Sequence, residues 1–281
     1  MEECARVARG TLPLRTVRKG LTRPGRTGPK RARNHRILDP YKDNQIAPGF
    51  CALAIMTKAP RAGSVKTRLQ PPLTAEEAAA LNSCFLRDTA SAISRAGEKA
   101  QGVAVYTPAE ARYEYDGILP RDFRLLPQRG HGFGERLFFA AEDLLHLGFQ
   151  SCCLIDSDSP TVTAESFREA VDALQFEGER IVLGPTNDGG YYLIGMKRAS
   201  AQLFAGIDWS TERVFDQTVK RARVLGLEVH ILPSFFDVDD HAALRRLCDE
   251  LLRENCSNAP ATKTFLRQIV AREGRDRIWP Q

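Results

Sequence analysis

The sequence lacks paired cysteine motifs and long apolar runs. Its seven cysteines are odd in number, and none of them forms a CxxC pair, which argues against a disulfide framework and against a cysteine-based metal site. No stretch approaches the ~18 consecutive apolar residues of a membrane-spanning helix. We therefore expect a protein of the reducing cytoplasm without a membrane span.

Excess positive charge is scarce outside the N-terminal region. Residues 1–36 carry eleven Lys or Arg and two Glu, whereas the other 245 residues carry 29 basic and 33 acidic side chains. Gly, Pro and Arg are mixed there without a period, which predicts a basic, disordered extension over residues 1–47. This segment has no apolar core of a secretory signal. No RNA- or DNA-binding motif accompanies it, so the sequence favours a solvated extension over a nucleic-acid partner.

Short apolar runs alternate with amphipathic patterns between residues 48 and 254. The runs predict strands, and they are FCALAIMT, QGVAVYT, FRLLP, SCCLID, RIVLG, YYLIGM and LEVHILP. Helical patterns stand between several of them and follow the last one. This alternation predicts an α/β fold, a single mostly parallel sheet with helices on both faces. Residues 255–281 are expected to form a C-terminal extension that is partly helical.

A basic loop follows the first long strand. The stretch TKAPRAGSVKTRL, residues 57–69, contains Lys58, Arg61, Lys66 and Arg68 around Gly63. It lacks the Gly-Lys-Ser/Thr ending of a Walker loop. Arginine forks and lysine charges suit a polyphosphate, and ligands of such sheets bind at the carboxyl ends of the strands. The position therefore favours phosphate binding, with a solvated basic loop as the alternative.

Two acidic motifs also follow strands. Asp156 and Asp158 come directly after an apolar run, and Asp237, Asp239 and Asp240 follow the last strand and open a helix. Carboxylate oxygens are the donors that Mg²⁺ or Mn²⁺ prefers beside substrate phosphates. The alternative for the first pair is capping of the turn by hydrogen bonds. In the second motif one of the three acids is expected to be a helix N-cap.

Two glycine-containing loops complete the set. GPTNDGGYYLIG, residues 184–195, places Asp188 beside Gly189 and Gly190, which allows close backbone approach to a ligand or only a tight turn. QRGHGFGERL, residues 128–137, leads with three glycines into a helix, where N–H groups are expected to be free to bind a ligand.

The order of these motifs is more specific than any one of them. Together they resemble the nucleotide-diphospho-sugar transferase (GT-A) fold. More closely, KAPRAGSVKTRL, DTA, QRGHGFGERL, SDSP, GPTNDGGYYLIG, IDWSTERV and DVDD are similar to the bacterial DUF2064 family of GT-A-like, radical-SAM-associated transferases. The resemblance covers about residues 50–247. It implies a metal-dependent glycosyltransferase with a nucleotide-sugar donor and a small-molecule acceptor.

The resemblance also assigns roles to residues. It implies that Asp158 and Asp239 hold Mg²⁺ or Mn²⁺, with Asp156 and Asp237 as further candidates, although the family usually has glycine at position 156. It implies that nucleotide, phosphate or sugar contacts come from Lys58, Arg61, Gly63, Lys66, Arg68, Gln128, Gly130, Arg136, Gly189, Gly190 and Tyr191. We expect Asp158 and Lys66 to act on the leaving group and Asp188 to act on the acceptor hydroxyl.

Other functions stay open at this point. The basic loop also resembles that of the phospholactate guanylyltransferases, which attach a nucleotide and release pyrophosphate. A catalytically silent sugar-nucleotide binder would conserve the binding loops without turnover. An RNA-associated module would use the basic N-terminal segment. The released product distinguishes the two enzymes, because glycosyl transfer releases a nucleoside diphosphate.

Overall fold

The computed structural model describes residues 35–42, 45–253 and 258–278. Its eight strands are β1 (Arg36–Ile37), β2 (Cys51–Lys58), β3 (Ala100–Thr107), β4 (Arg124–Pro127), β5 (Ser151–Ile155), β6 (Arg180–Pro185), β7 (Tyr191–Met196) and β8 (Glu228–Ile231). They form one sheet in the order β1-β4-β3-β2-β5-β7-β6-β8. Only β7 runs antiparallel to its neighbours within this sheet. The predicted α/β class and mostly parallel sheet are confirmed.

Seven α-helices are described. They are α1 (Ala75–Ser94), α2 (Phe133–His146), α3 (Ala164–Gln175), α4 (Ala201–Phe204), α5 (Val214–Val224), α6 (His241–Leu251) and α7 (Pro260–Glu273). The start of α1 is fixed by a capping box, in which Thr74 accepts from the Glu77 amide and Glu77 accepts from the Thr74 amide. None of the helices in the described part of the chain is long and apolar enough to cross a membrane.

The helices cover both faces of the sheet. On one face α1 and α3 pack on inward side chains of β2 and β5, such as Leu53 and Cys153. On the other face α2, α4 and α5 pack on the alternate residues, such as Ala54 and Leu154. Successive residues of a strand point to opposite faces, so both faces of these central strands are apolar. The continuous apolar runs in the sequence are explained by this double burial.

The folded part begins before residue 48, which corrects the predicted boundary. Arg36–Ile37 pair in parallel with β4, Leu38 is fully buried, and Ile46 is 7% exposed. Two residues in a basic stretch give no readable strand period, and the pairing depends on a partner far along the chain. Residues 1–34 of the predicted disordered extension lie outside the described residues.

The C-terminal region packs on the body of the fold. Leu266 and Ile269 of α7 join an apolar cluster with Leu81 of α1 and Leu244 of α6. The carboxylate of Asp88 accepts hydrogen bonds from the backbone amides of Ala261 and Thr262, at 2.9 and 2.8 Å. These bonds satisfy two amides in the first turn of α7, whose own N-cap residue provides no side-chain bond.

Candidate active site

The carboxyl edge of the sheet carries a cavity of about 630 Å³. The loops after β2 and β5 meet there because the two strands are parallel neighbours. The turn before β7 joins them because β7 runs antiparallel, so its first residue lies at this edge. The cavity is lined by Lys58, Ser64, Val65, Lys66, Thr67, Arg68, Asn82, Phe133, Ser157, Asp158, Asp188, Gly190, Tyr191, Trp209, Ser210, Thr211, Glu212, Val214 and Asp239.

Lys66 connects the basic loop to both acidic motifs. Its ammonium lies 2.6 Å from Asp158 Oδ1 and 3.0 Å from Asp239 Oδ1, and it donates to the carbonyl of Val238 at 2.9 Å. Burial alone would lower the pKa of Lys66, but the carboxylates of Asp158 and Asp239 outweigh burial and raise its pKa. The side chain is thus a fixed cation between two carboxylates.

The backbone of Lys66 is also unusual. Its φ of 49° lies in the left-handed region, which is uncommon for a residue other than glycine. Ser210, with φ of 64°, is a second such residue in the cavity lining. Backbone strain of this kind persists where the surrounding structure holds it, and it is frequent at functional sites.

Asp156 and Asp158 have different surroundings although they are two residues apart. Asp156 accepts from the amides of Asp158 and Ser159 at 3.3 and 3.2 Å and from the Ser159 hydroxyl at 2.7 Å. Burial and the charge of Asp158 raise the pKa of Asp156. Asp158 faces the cavity with a side chain that is 32% exposed. Asp156 therefore caps the turn, and Asp158 presents its carboxylate to the cavity.

The three aspartates of the second acidic motif, Asp237, Asp239 and Asp240, also differ in their surroundings. Asp240 is the N-cap of α6, since its Oδ1 accepts from the Ala243 amide at 2.8 Å. This is the cap that the sequence predicts for one of the three acids. Asp239 lines the cavity, while Asp237 lies outside its lining. Burial, followed by the charges of Asp188, Asp239 and Asp158, raises the pKa of Asp237 to about 6.

The carboxylates around Lys66 fit a divalent cation in their chemistry. Within the described residues, no three His, Cys, Asp or Glu side chains are already arranged as a metal-holding group. Burial, and after it the charges of Asp188, Asp239 and Asp158, raises the pKa of Asp237, so several carboxylates lie near the single ammonium of Lys66. Their hard oxygen donors are those that Mg²⁺ and Mn²⁺ prefer.

The turn before β7 holds Asp188 at the cavity. Its Oδ1 accepts from the Thr186 hydroxyl at 2.5 Å and from the Gly190 amide at 3.0 Å. Gly189 adopts φ of 89°, and a Cβ there would lie 2.1 Å from the carbonyl oxygen of Glu212. Only glycine allows this contact, which brings the segment before α5 against the turn.

Aromatic residues form a wall of the cavity that the sequence analysis did not identify. Phe133, the first residue of α2, and Trp209 pack edge to face with ring centroids 5.0 Å apart. Phe133 remains 54% exposed. In the sequence, the signal for Phe133 is a large apolar residue directly after a glycine-rich loop. The signal for Trp209 is its position in the IDWSTERV stretch, which by itself does not indicate a role for the indole ring.

Other predicted residues lie outside the cavity lining. The Arg61 guanidinium is paired with the Glu114 carboxylate, with Nη2 to Oε1 at 2.6 Å. The remaining ones are Gly63, Gln128, Gly130, Arg136, Gly189, Asp156 and Asp237. The eight predicted residues that do line it are Lys58, Lys66, Arg68, Asp158, Asp188, Gly190, Tyr191 and Asp239.

Two amides before α2, those of His131 and Gly132, are already bonded, which corrects for these two an expectation for the loop at residues 128–137. The Glu135 carboxylate accepts from the amides of His131 and Gly132, at 3.0 and 3.4 Å. Arg136 turns back, and its Nε donates to the carbonyl of Gly130 at 3.4 Å. Glu135, three residues after the N-cap Gly132, is the signal for these bonds in the sequence, and glycine has no side chain that could complete a reciprocal capping box.

One known protein family matches part of the chain. The family model described as "Uncharacterized protein conserved in bacteria (DUF2064)" matches residues 90–211. The resemblance to DUF2064 is confirmed. The DUF2064 match includes Asp158 and Asp188 but not Lys66 or Asp239. Among curated proteins, none matches the chain significantly.

Solved structures support the fold assignment. The structure of a candidate nucleotide-diphospho-sugar transferase from Desulfovibrio desulfuricans G20 is 29% identical, with a TM-score of 0.70, and the match covers 81% of this chain and 99% of that chain. The 4-diphosphocytidyl-2C-methyl-D-erythritol synthase of Anaerococcus prevotii DSM 20548 is 12% identical, with a TM-score of 0.50, and the match covers 75% and 100%. The second similarity concerns the fold alone. The fold is thus that of nucleotide-diphospho-sugar and nucleotidyl transferases.

Proposed function

We propose that this protein is a transferase that uses a nucleotide-diphospho-sugar donor and a divalent cation to glycosylate a small molecule. The observation that carries the proposal is the cavity itself, whose lining combines the cations Lys58, Lys66 and Arg68 with the carboxylates Asp158, Asp188 and Asp239. Cations in the lining suit the two phosphates of a donor. The relative of 29% identity, a candidate nucleotide-diphospho-sugar transferase, supports the same donor class.

The metal would be held by Asp158 and Asp239, with Asp237 beside them. When bound, Mg²⁺ or Mn²⁺ supplies positive charge to the diphosphate as its bond to the sugar breaks. The electron pair of that bond leaves with the diphosphate. Lys58, Lys66 and Arg68 stabilise the additional negative charge, which is the main electrostatic task of the reaction.

Asp188 is the proposed base for the acceptor. Its Oδ1 is held by Thr186 and Gly190, and none of the described residues donates a hydrogen bond to Oδ2. That oxygen is available to take the proton of the acceptor hydroxyl while the hydroxyl oxygen bonds to the anomeric carbon. The fixed Oδ1 prevents rotation of the carboxylate away from the cavity.

The experiment has a binding step and a product step. Thermal unfolding with Mn²⁺ and a panel of nucleoside diphosphates and nucleotide sugars should identify the donor, because a ligand of the folded state raises Tm. Turnover of that donor with candidate acceptors should then release nucleoside diphosphate, and chelation of the metal or Asp188→Asn should suppress it. Release of pyrophosphate from a nucleoside triphosphate would instead identify a nucleotidyltransferase. Metal-dependent binding without turnover would identify a silent binder.

A further inference from the structure

Asn82 is a polar residue in the cavity that no motif identified. It lies on α1, its side chain is only 3% exposed, and it shares the cavity lining with Lys66, Asp158 and Asp239. Its neighbours Leu81 and Phe85 are fully buried. An asparagine on this apolar side of α1 needs a reason beyond packing.

The side-chain oxygen of Asn82 has no hydrogen-bond partner in the described part of the chain. Of the buried side-chain atoms without a partner in hydrogen-bond geometry among the described residues, Asn82 Oδ1 and Tyr191 OH belong to the cavity lining, and Tyr191 still interacts with Thr218. A buried acceptor without a partner costs free energy that an apolar residue of similar size would not. Oδ1 itself is buried, but Asn82 lines the cavity, so this unpartnered acceptor indicates a hydrogen-bond donor that a ligand of the cavity can supply.

The neighbours of Asn82 limit what that donor can be. Phe85, one helical turn further along α1, lies with its ring centroid 5.5 Å from Lys66 Nζ, so this part of α1 lies beside the basic loop. The three contacts of Lys66 already go to Asp158, Asp239 and the Val238 carbonyl. The oxygens of an ionised diphosphate accept hydrogen bonds and cannot donate to Oδ1. Within a nucleotide-sugar ligand, the groups that can donate to Oδ1 include the sugar hydroxyls.

We infer that Asn82 binds a hydroxyl group of the donor substrate through its side-chain amide, which rests on the proposed function above. The carbonyl oxygen accepts from the hydroxyl, and the amide NH₂ can donate to the next oxygen of the same sugar ring. Both the ribose and the transferred sugar offer such pairs of oxygens. Asn82 is then a residue that selects a sugar and not a residue that binds phosphate.

The test separates sugar recognition from phosphate binding. Asn82→Leu should weaken binding of the donor found in the screen by about tenfold, the scale of one hydrogen bond. Binding of inorganic pyrophosphate with Mn²⁺ should stay unchanged, because that ligand has no hydroxyl of a sugar. The Tm without ligand should stay the same or rise, since the variant removes a buried acceptor without a partner.

A second set of ligands identifies which sugar is bound. The dideoxy analogue of the nucleoside diphosphate lacks the ribose hydroxyls. If Asn82 binds the ribose, Asn82→Leu should bind the normal and the dideoxy nucleotide equally. If it binds the transferred sugar, the variant should lose only the preference of the wild type for the nucleotide sugar over the nucleoside diphosphate.

A matched control lies on the same helix. Thr89 is 2% exposed, its hydroxyl also lacks a partner among the described residues, and it lies outside the cavity lining. Thr89→Val should leave every affinity unchanged. Equal weakening of pyrophosphate and nucleotide by Asn82→Leu, or no weakening at all, would overturn this inference alone. Failure of the wild type to bind any nucleotide or nucleotide sugar would overturn the proposed function together with it.

Discussion

The ammonium of Lys66 and the carboxylate of Asp158, 2.6 Å apart, join the loop after β2 to the loop after β5. The side chain of Lys66 is 5% exposed, so the lysine end of the pair is shielded from water, while the side chain of Asp158 is 32% exposed. Charges in such a setting interact more strongly than on the surface. Lys66 therefore compensates part of the negative charge of the two aspartates that it contacts.

Replacing Lys66 should change metal and nucleotide binding in opposite directions. Lys66→Met keeps the length of the side chain but removes the ammonium between Asp158 and Asp239. We expect Mn²⁺ alone to bind at least as tightly as in the wild type, and a nucleoside diphosphate to bind at least ~10-fold more weakly, the scale of a charge-assisted contact. Calorimetric titration measures both. Arg61→Met is the control, because Arg61 is paired with Glu114 outside the cavity lining. A parallel loss of both affinities would contradict the prediction.

Conservative substitutions of Asp158 and Asp156 should have different effects on turnover and on metal affinity. Asp158→Asn removes a charge that faces the cavity, and we expect a loss of turnover of at least ~10²-fold. Asp156→Asn keeps an oxygen that can accept from the turn amides, so turnover should stay within about threefold. Steady-state rates at saturating Mn²⁺ and the metal Kd provide the measurement. The assignment of the ligand fails if Asp156→Asn is the variant that loses metal binding.

The raised pKa of Asp237 predicts how the stability of the folded state depends on pH. Its pKa is raised to about 6, above the ordinary value of about 3.9 for an unfolded chain. Between these values the folded state holds more protons than the unfolded state, so Asp237 lowers stability as pH rises from about 4 to about 6. Without divalent cations, Asp237→Asn should therefore raise Tm at pH 8 and leave it unchanged near pH 4. Asp240→Asn is the control, since Asn is an equally good N-cap. A gain that is the same at both pH values would refute this explanation.

The N-terminal boundary can be tested by two deletions. Removing residues 1–34 takes away none of the described contacts and should leave Tm and nucleotide binding unchanged. Removing residues 1–46 also removes β1 and the buried Leu38. Full burial of one such side chain contributes roughly 1.5–3 kcal/mol, so this deletion should lower the free energy of unfolding by at least about 2 kcal/mol. Urea unfolding of both proteins decides the boundary, and equal stabilities would restore the one predicted from the sequence.

The fold could be predicted from the sequence wherever a strand is buried on both faces. Each of β2 to β8 corresponds to a predicted apolar run. For the central strands the reason is that both faces are buried, whereas β8 is an edge strand whose residues are exposed or only partly buried. The strand β1 was not predicted, since two residues at an edge carry no period. Its pairing with β4 is a tertiary contact that local patterns do not encode.

The site could be predicted only as a set of loops. Order along the chain placed Lys66, Asp158 and Asp239 at one edge of the sheet, but it could not show that the lysine lies between the two carboxylates. The division of roles between Asp156 and Asp158 likewise depends on side-chain orientation. Asn82 had a weak signal, a polar residue at a core-facing position of a helix, and it stood outside every motif.

The order of the site residues along the chain has a consequence for synthesis. Of the three residues that form the ion pairs of Lys66, Lys66 comes first in the chain, Asp158 second and Asp239 last. The segment around Asp239 is also joined to Asp158 by the backbone, since the amide of Val238 donates to the carbonyl of Asp158 at 3.0 Å. A nascent chain on the ribosome has made most of the sheet before Asp239 emerges. The proposed site is therefore incomplete until Asp239, which follows the last strand, has emerged, and a ligand of that site would assist only the final steps of folding in the cell.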